Sequence, residues 1–302
     1  MDTHQYEKRE FETGDGVLLR GRWYEPKGAL DRSEYIAIIH PATAVPQGYY
    51  DSFATWLVGR GLPTFTYDYR GIGESRTGRS LRGYSASITK WIHYDVTAAV
   101  REARQRYPDK KLLYFCHSVG GHAMLLNPAV HEAEAIVMVG VGNGHHRFVT
   151  PGYRQLKRFL IFHAIMPLIV RVLGYVPGWA GTGEDLPAGV ALGWARRCRQ
   201  HAYFDPAELE QIRENLKVLQ GKVLTIALSD DDYISPGAVA DFGAHFPEEN
   251  VEVRVYEPKT LNQRRIGHFA GFRPRTGGLL WDEMWRWLPV HSGAPELPEA
   301  SL

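Results

Sequence analysis

The period of the hydrophobic pattern changes along this chain, and the changes mark out its elements. Residues 9–13 and 17–24 are two β-leaning runs on either side of Gly14-Asp15-Gly16, which predicts a hairpin closed by an Asp-Gly turn. From residue 35 the pattern is different. Tyr35–His40 is a short continuous apolar run, residues 50–60 have helical spacing, and residues 62–69 are again apolar and aromatic. Continuous apolar runs alternating with helical stretches predict βαβ units, in which parallel strands are buried on both faces. The alternation continues through a long helix over about 87–107, with Ile88, Trp91, Ile92, Val96, Ala99 and Val100 near helical spacing and Pro108 ending it. A strand at 111–116, a short helix Val119–Leu126 and an apolar strand at 135–141 follow. After these come a strand Lys222–Leu228, a helix at about 237–245, a strand Val251–Tyr256 and a final element over 279–288.

Residues 144–220 break this rhythm. The stretch is rich in Leu, Ile, Phe and Trp, carries no convincing strand, and lies between two core strands, so it reads as an inserted helical cap. The expected organisation is therefore one α/β core formed by 1–143 and 221–290, a cap over 144–220, and a frayed tail over 291–302. Within the cap, Phe159, Leu160, Phe162, Ile165, Met166, Leu168, Ile169 and Leu173 form a helical pattern that Pro167 is expected to split into two short helices.

Composition narrows the class. Among 302 residues, 35 Lys and Arg stand against 34 Asp and Glu, a net charge of +1 with no long basic block, which argues against a nucleic-acid partner. Cys116 and Cys198 form no Cys-x-x-Cys pair, so neither a disulfide framework nor a thiolate zinc site is expected. The first twelve residues are charged, unlike a secretion signal. The longest apolar stretch, 159–170, is shorter than the about 20 residues a bilayer span needs. A cytoplasmic globular protein without a membrane span is the expectation.

Candidate chemistry begins where the strand at 111–116 runs directly into a helix with Ser118 at the corner. Cys116 and Gly120 are small, as a sharp strand-to-helix turn requires, and the turn sets the hydroxyl beside backbone N–H groups at a helix start. In that setting Cys116-His117-Ser118-Val119-Gly120 resembles the Gly-x-Ser-x-Gly signature of the α/β-hydrolase superfamily, with cysteine where glycine is usual. The resemblance implies an α/β-hydrolase fold, a mostly parallel doubly wound sheet with an inserted helical cap, and a Ser-His-Asp triad in the chain order serine, acid, histidine. It places Ser118 as nucleophile. In Asp230-Asp231-Asp232, followed by Pro236, the family pattern of an aspartate four residues before proline selects Asp232 as the acid. Gly267-His268-Phe269, beyond the last strand, matches the family's Gly-His-Phe and selects His268 as general base.

The oxyanion hole takes one N–H from Val119 and one from the loop His40-Pro41-Ala42-Thr43. Pro41 has no N–H, so Ala42 is the expected donor and Thr43 the fallback. The turn 67–75 resembles a structural turn of the superfamily. Together with His40-Pro41-Ala42-Thr43 and residues 184–192 it resembles a bacterial group of predicted hydrolases.

The pairs His117/His122 and His145/His146 lack a metal-ligand set and read as structural or pocket-lining, so neither metal nor organic cofactor is expected. Gly140-Val141-Gly142-Asn143-Gly144 misses the dinucleotide spacing, and a serine at 118 excludes aspartate-nucleophile chemistry. The resemblance points to a carboxylesterase-like enzyme acting on a small ester or thioester, and an apolar cap closing over Ser118 would suit an apolar acyl or aromatic part. An acyltransferase with the same triad and a non-catalytic binding protein on the same fold are the alternatives. Arg147, Arg154, Arg158, Arg196, Arg197 and Arg199 form either a solvated face or a contact for an anionic substrate such as a CoA thioester.

Overall fold

A computed structural model describes residues 5–27 and 33–291. Among the described residues there are ten strands: β1 (Glu7–Glu12), β2 (Leu18–Tyr24), β3 (Tyr35–His40), β4 (Thr64–Tyr67), β5 (Lys111–His117), β6 (Ala133–Val139), β7 (Tyr175–Val176), β8 (Leu186–Pro187), β9 (Lys222–Leu228) and β10 (Val251–Tyr256). Eight of them form one sheet in the order β1-β2-β4-β3-β5-β6-β9-β10, antiparallel at β1-β2 and β2-β4 and parallel thereafter. The helices are α1 (Asp51–Val58), α2 (Ile88–Lys90), α3 (Thr97–Arg106), α4 (Val119–Leu126), α5 (Tyr153–Leu160), α6 (Met166–Leu173), α7 (Ala188–Arg199), α8 (Pro206–Lys217), α9 (Pro236–Gly243), α10 (Gly267–Ala270) and α11 (Pro274–Trp287).

The central parallel strands β3, β5, β6 and β9 are largely apolar because their alternate side chains feed two cores, whereas the edge strand β10 carries Glu252 and Arg254. Ile36, Ile38, Leu112, Tyr114, Ile136 and Met138 pack with residues of α3, α4 and α8 on one face. Ala37, Ile39, Leu113, Phe115, Val137 and Val139 pack with α1 and α11 on the other. A strand covered on both sides has no position that tolerates a solvated side chain, so helix-clad strands read as continuous hydrophobic runs.

The hairpin forms as the turn chemistry predicts, with Gly16 N–H donating to Thr13 O (3.0 Å) and Gly16 at φ 80°. Its Asp15 joins a buried clamp. The fully buried guanidinium of Arg70 donates to Asp95 (2.7 Å) and to Asp15 (2.6 Å), tying the hairpin to the 67–75 turn and to the π-turn Trp91–Val96 between α2 and α3. A buried charge persists only when paired in this way, and removing one partner typically costs 3–5 kcal/mol.

The chain between β6 and β9 contains α5, α6, α7 and α8 together with a two-stranded ribbon of β7 and β8, a small strand element that the hydrophobic pattern does not reveal. Asn215 of α8 donates to Leu125 O of α4 (3.0 Å), so the last helix of this segment covers the sheet as a crossover helix before β9. The apolar pattern forms two short helices as expected, with the break lying just ahead of Pro167. The π-turn Ile161–Ile165 joins α5 to α6 and shifts the hydrogen-bond register just ahead of the proline, which sits in the first turn of α6 where its missing N–H costs nothing. Among the described residues no helix is long and apolar enough to cross a membrane. The expected frayed tail, apart from His291, lies outside the described residues.

Candidate active site

β5 delivers Ser118 to the C-terminal edge of the sheet, and α4 begins at the next residue. Ser118 has φ 51° and ψ −117°, a conformation that an L-residue adopts only where its surroundings impose it. Its N–H donates to Val139 O of β6 (3.1 Å). The close approach at this corner is visible at Gly120, where a Cβ would stand 2.3 Å from His40 O of β3. Cys116, in the place usual for glycine, is fully buried in the core, and burial pushes its thiol far above the usual range, so it is inert packing. Among the described residues Ser118 Oγ has no hydrogen-bond partner, as is common for nucleophiles whose contacts tighten only with substrate.

The acid differs from expectation. His268 Nδ1 lies 2.7 Å from Oδ2 of Asp231, and both side chains are buried. The other oxygen of Asp231 accepts the N–H groups of Tyr233 (2.7 Å) and Ile234 (2.9 Å), an Asx turn that aims the carboxylate inward. Asp232 points the other way. Its side chain is 44% exposed and is shared by Arg154 (2.7 Å) and Arg265 (2.9 Å), so the structure sets Asp231, and not the expected Asp232, against His268. Asp230 accepts the N–H groups of Ile266 (2.8 Å) and Gly267 (3.0 Å), which fastens the loop that carries His268 to the end of β9. Each of the three consecutive carboxylates thus has its own task. Behind the pair lies Gly140, at φ 60°, where a Cβ would stand 3.1 Å from the His268 ring.

The structure also finds the expected oxyanion donor, Ala42, engaged elsewhere. The N–H of Ala42 donates to Tyr50 Oη (2.9 Å) and is therefore occupied, whereas that of Thr43 has no partner among the described residues. Val119, the first residue of α4, keeps an N–H that the helix itself cannot satisfy.

Tyr50 opens a hydrogen-bond chain that sequence reasoning missed. Tyr50 Oη lies 2.8 Å from His117 Nδ1, and His117 Nε2 lies 2.9 Å from the main-chain O of His268. Only one proton arrangement satisfies all three contacts. A carbonyl can only accept, so His117 Nε2 carries the proton and Nδ1 accepts from the tyrosine hydroxyl. Burial pushes His117 down to about 3 and keeps it neutral; burial also holds the Tyr50 phenol well above its usual range. The oxyanion loop and the backbone of His268 are in this way joined through buried side chains, and the His117 and His268 rings lie 5.2 Å apart. No single-sequence signal marks Tyr50; His117 is marked only by its place beside Ser118.

A groove of about 210 Å³ opens at His268, lined by Tyr233, Phe269, Gly267, Asp232, Arg265 and Arg273. A larger one, about 600 Å³, lies at the opposite edge of the sheet around Ala133, Gly221, Lys222 and Trp287 and contains none of the candidate catalytic groups. Ligands of open α/β sheets bind at the C-terminal ends of the strands, which makes the smaller groove the candidate substrate site. Above it the cap contributes Arg158, which donates to Asp232 O (3.1 Å) and whose charge burial disfavours. The other cap arginines divide: Arg147 pairs with Asp241, Arg196 with Asp205 and Arg197 with Glu208. His145 and His146 stack with centroids 4.1 Å apart, and His122 Nε2 donates to Gly142 O (2.9 Å). Among the described residues no three His, Cys, Asp or Glu side chains are grouped to hold a metal ion.

Residues 36–167 match the family model described as serine aminopeptidase, S33. A polyketide transferase of Penicillium crustosum is 38% identical over 71 residues, 23% of this chain, and the match spans 23% of that curated relative's length. The fold resembles an esterase of Pyrococcus furiosus (TM-score 0.58, 16% identity, 94% of each chain). It also resembles a soluble variant of monoglyceride lipase from Saccharomyces cerevisiae (TM-score 0.64, 16% identity, 95% of each chain).

Proposed function

We propose that this chain, which has the α/β-hydrolase fold, cleaves a carboxylic ester or thioester through an acyl-enzyme on Ser118. The observation that carries the reading is the buried Asp231–His268 pair, 2.7 Å apart, at the same sheet edge as a serine held at φ 51°. In this mechanism His268 Nε2 takes the Ser118 proton as Oγ attacks the carbonyl carbon. Asp231 holds the Nδ1–H tautomer and stabilises the imidazolium. The N–H groups of Val119 and Thr43 receive the oxyanion. The tetrahedral intermediate expels the alcohol or thiol, which takes the proton from His268. Water then attacks the acyl-enzyme by the same steps and releases the acid. The aromatic walls of the groove, Tyr233 and Phe269, suit a small substrate with an apolar acyl or aromatic part.

A second reading, transfer of the acyl group to an alcohol or amine, is favoured by the partial match to a polyketide transferase. The acyl-enzyme is common to both. A p-nitrophenyl ester series tests the reading: wild type is expected to release p-nitrophenol with a burst and Ser118→Ala to lose it. Release unaffected by Ser118→Ala would refute the assignment. Added alcohol that diverts product from free acid to a new ester would establish transfer.

A further inference from the structure

The α5–α6 segment is apolar on two sides, and only one of them is covered. Phe162, Met166 and Val170, at four-residue spacing, are buried among core residues. A second row at the same spacing faces solvent: Leu156 (56% exposed), Leu160 (42%), Leu168 (60%) and Val172 (60%), with Ala164 exposed between them. Tyr153, Phe159 and Ile165 of the same segment are exposed as well. Scattered exposed apolar residues need no explanation, but a contiguous helical row marks a surface that something covers.

Charge identifies what covers it. Between Glu134 and Glu184 the sequence contains no acidic residue, against the cations Arg147, Arg154, Lys157, Arg158 and Arg171, although the whole chain carries only +1. Arg147 and Arg154 are neutralised by Asp241 and Asp232, and Arg158 turns inward. Lys157 and Arg171 are exposed, lie on the same helical segment as the apolar row, and pair with no acidic group among the described residues. An apolar helix face flanked by cations and free of carboxylates is the pattern of a helix that lies in a lipid interface. A second copy of this chain would present the same positive helix to itself and be repelled.

We propose that the α5–α6 face docks on an anionic phospholipid surface, with Leu156, Leu160, Leu168 and Val172 entering the headgroup boundary and Lys157 and Arg171 contacting lipid phosphates. Arg154 and Arg158 of the same segment reach Asp232, a wall of the His268 groove, so docking sets that groove close to the bilayer surface.

Co-sedimentation of the full chain with vesicles tests this without any need for turnover. Wild type is expected to partition at least 10-fold more strongly onto phosphatidylcholine vesicles containing about a third phosphatidylglycerol than onto phosphatidylcholine alone, and the preference should shrink in high salt. Removing a cation costs on the order of 5-fold at such a surface, so Lys157→Gln with Arg171→Gln should lose about 25-fold on the anionic vesicles. Leu168→Ser with Val172→Ser, or Leu156→Ser with Leu160→Ser, should weaken binding to both compositions while circular dichroism confirms an unchanged melting temperature. Absence of binding to anionic vesicles, or binding unchanged by both pairs of serine substitutions, overturns the proposal. So does a dimer in light scattering that Leu168→Ser dissociates while vesicles capture nothing. Ser118→Ala is expected to sediment like wild type, so the result is independent of the catalytic reading.

Discussion

Replacing each of the three consecutive aspartates in turn by asparagine separates their tasks. In Asp231→Asn the side-chain oxygen can still accept from Tyr233 and Ile234, so the loop is retained. The amide NH₂, however, now faces His268 Nδ1, a donor facing a donor. His268 must present a lone pair there, which moves its proton to Nε2 and prevents it from accepting the Ser118 proton. A wrong tautomer of this kind costs about 10⁴ in kcat, or roughly 5.5 kcal/mol of barrier. Asp232→Asn removes only ion pairs to exposed Arg154 and Arg265, worth about 0–1 kcal/mol each, and should change kcat by less than about 5-fold. Asp230→Asn keeps one good acceptor for two amides, and loss of a charge-assisted bond of about 1.5–3 kcal/mol loosens the histidine loop, an intermediate effect of about 10- to 100-fold. The assay is steady-state p-nitrophenyl acetate hydrolysis alongside melting temperatures. Equal losses at 231 and 232, or the larger loss at 232, would refute the assignment.

Acid should destabilise the fold through three fully buried histidines. Burial pushes His40, His117 and His122 from 6.5 down to about 3. A base whose folded value is depressed leaves the unfolded chain binding more protons, so its stabilisation is complete above pH 6.5 and is lost as pH falls toward 3. At pH 5 each contributes a loss of about 2 kcal/mol, together about 6, a large share of a typical 5–15 kcal/mol; urea midpoints that stay level between pH 8 and 5 would contradict this. Gly140→Ala puts a methyl 3.1 Å from the His268 ring at a left-handed φ and should cut kcat at least 10-fold, whereas full activity would show that the ring has room. Tyr50→Phe removes the acceptor for Ala42 N–H and the donor to His117 and should lower kcat about 10-fold with KM nearly constant. A change in KM alone would mean that the chain does not position His268.

Features governed by local chemistry were legible in the sequence. β3 and β9 were readable to the residue because a strand clad on both faces is largely apolar, and the Ser118 corner because its turn admits only small residues two positions either side. Asp231 was not, because three identical side chains in a row differ only in direction, and an Asx turn closed by Tyr233 and Ile234 decides which one faces His268. That the Ala42 N–H is engaged was not legible either, because the hydroxyl that accepts it lies eight residues along the chain. The pattern at 159–173 showed apolar residues at helical spacing without revealing that Phe162 and Met166 are covered while Leu160 and Leu168 are bare. Burial of a given side depends on what packs there, which spacing alone does not encode.

The claim that Ser118 is an activated nucleophile is tested most directly by treating the folded protein with a fluorophosphonate probe and mapping the adduct by peptide mass spectrometry. The structure predicts one stoichiometric adduct on Ser118, abolished by Ser118→Ala and slowed about 10³-fold or more in Asp231→Asn by the loss of the correct histidine tautomer. Folded protein that stays unlabelled, or is labelled at another serine with Ser118 untouched, would contradict it.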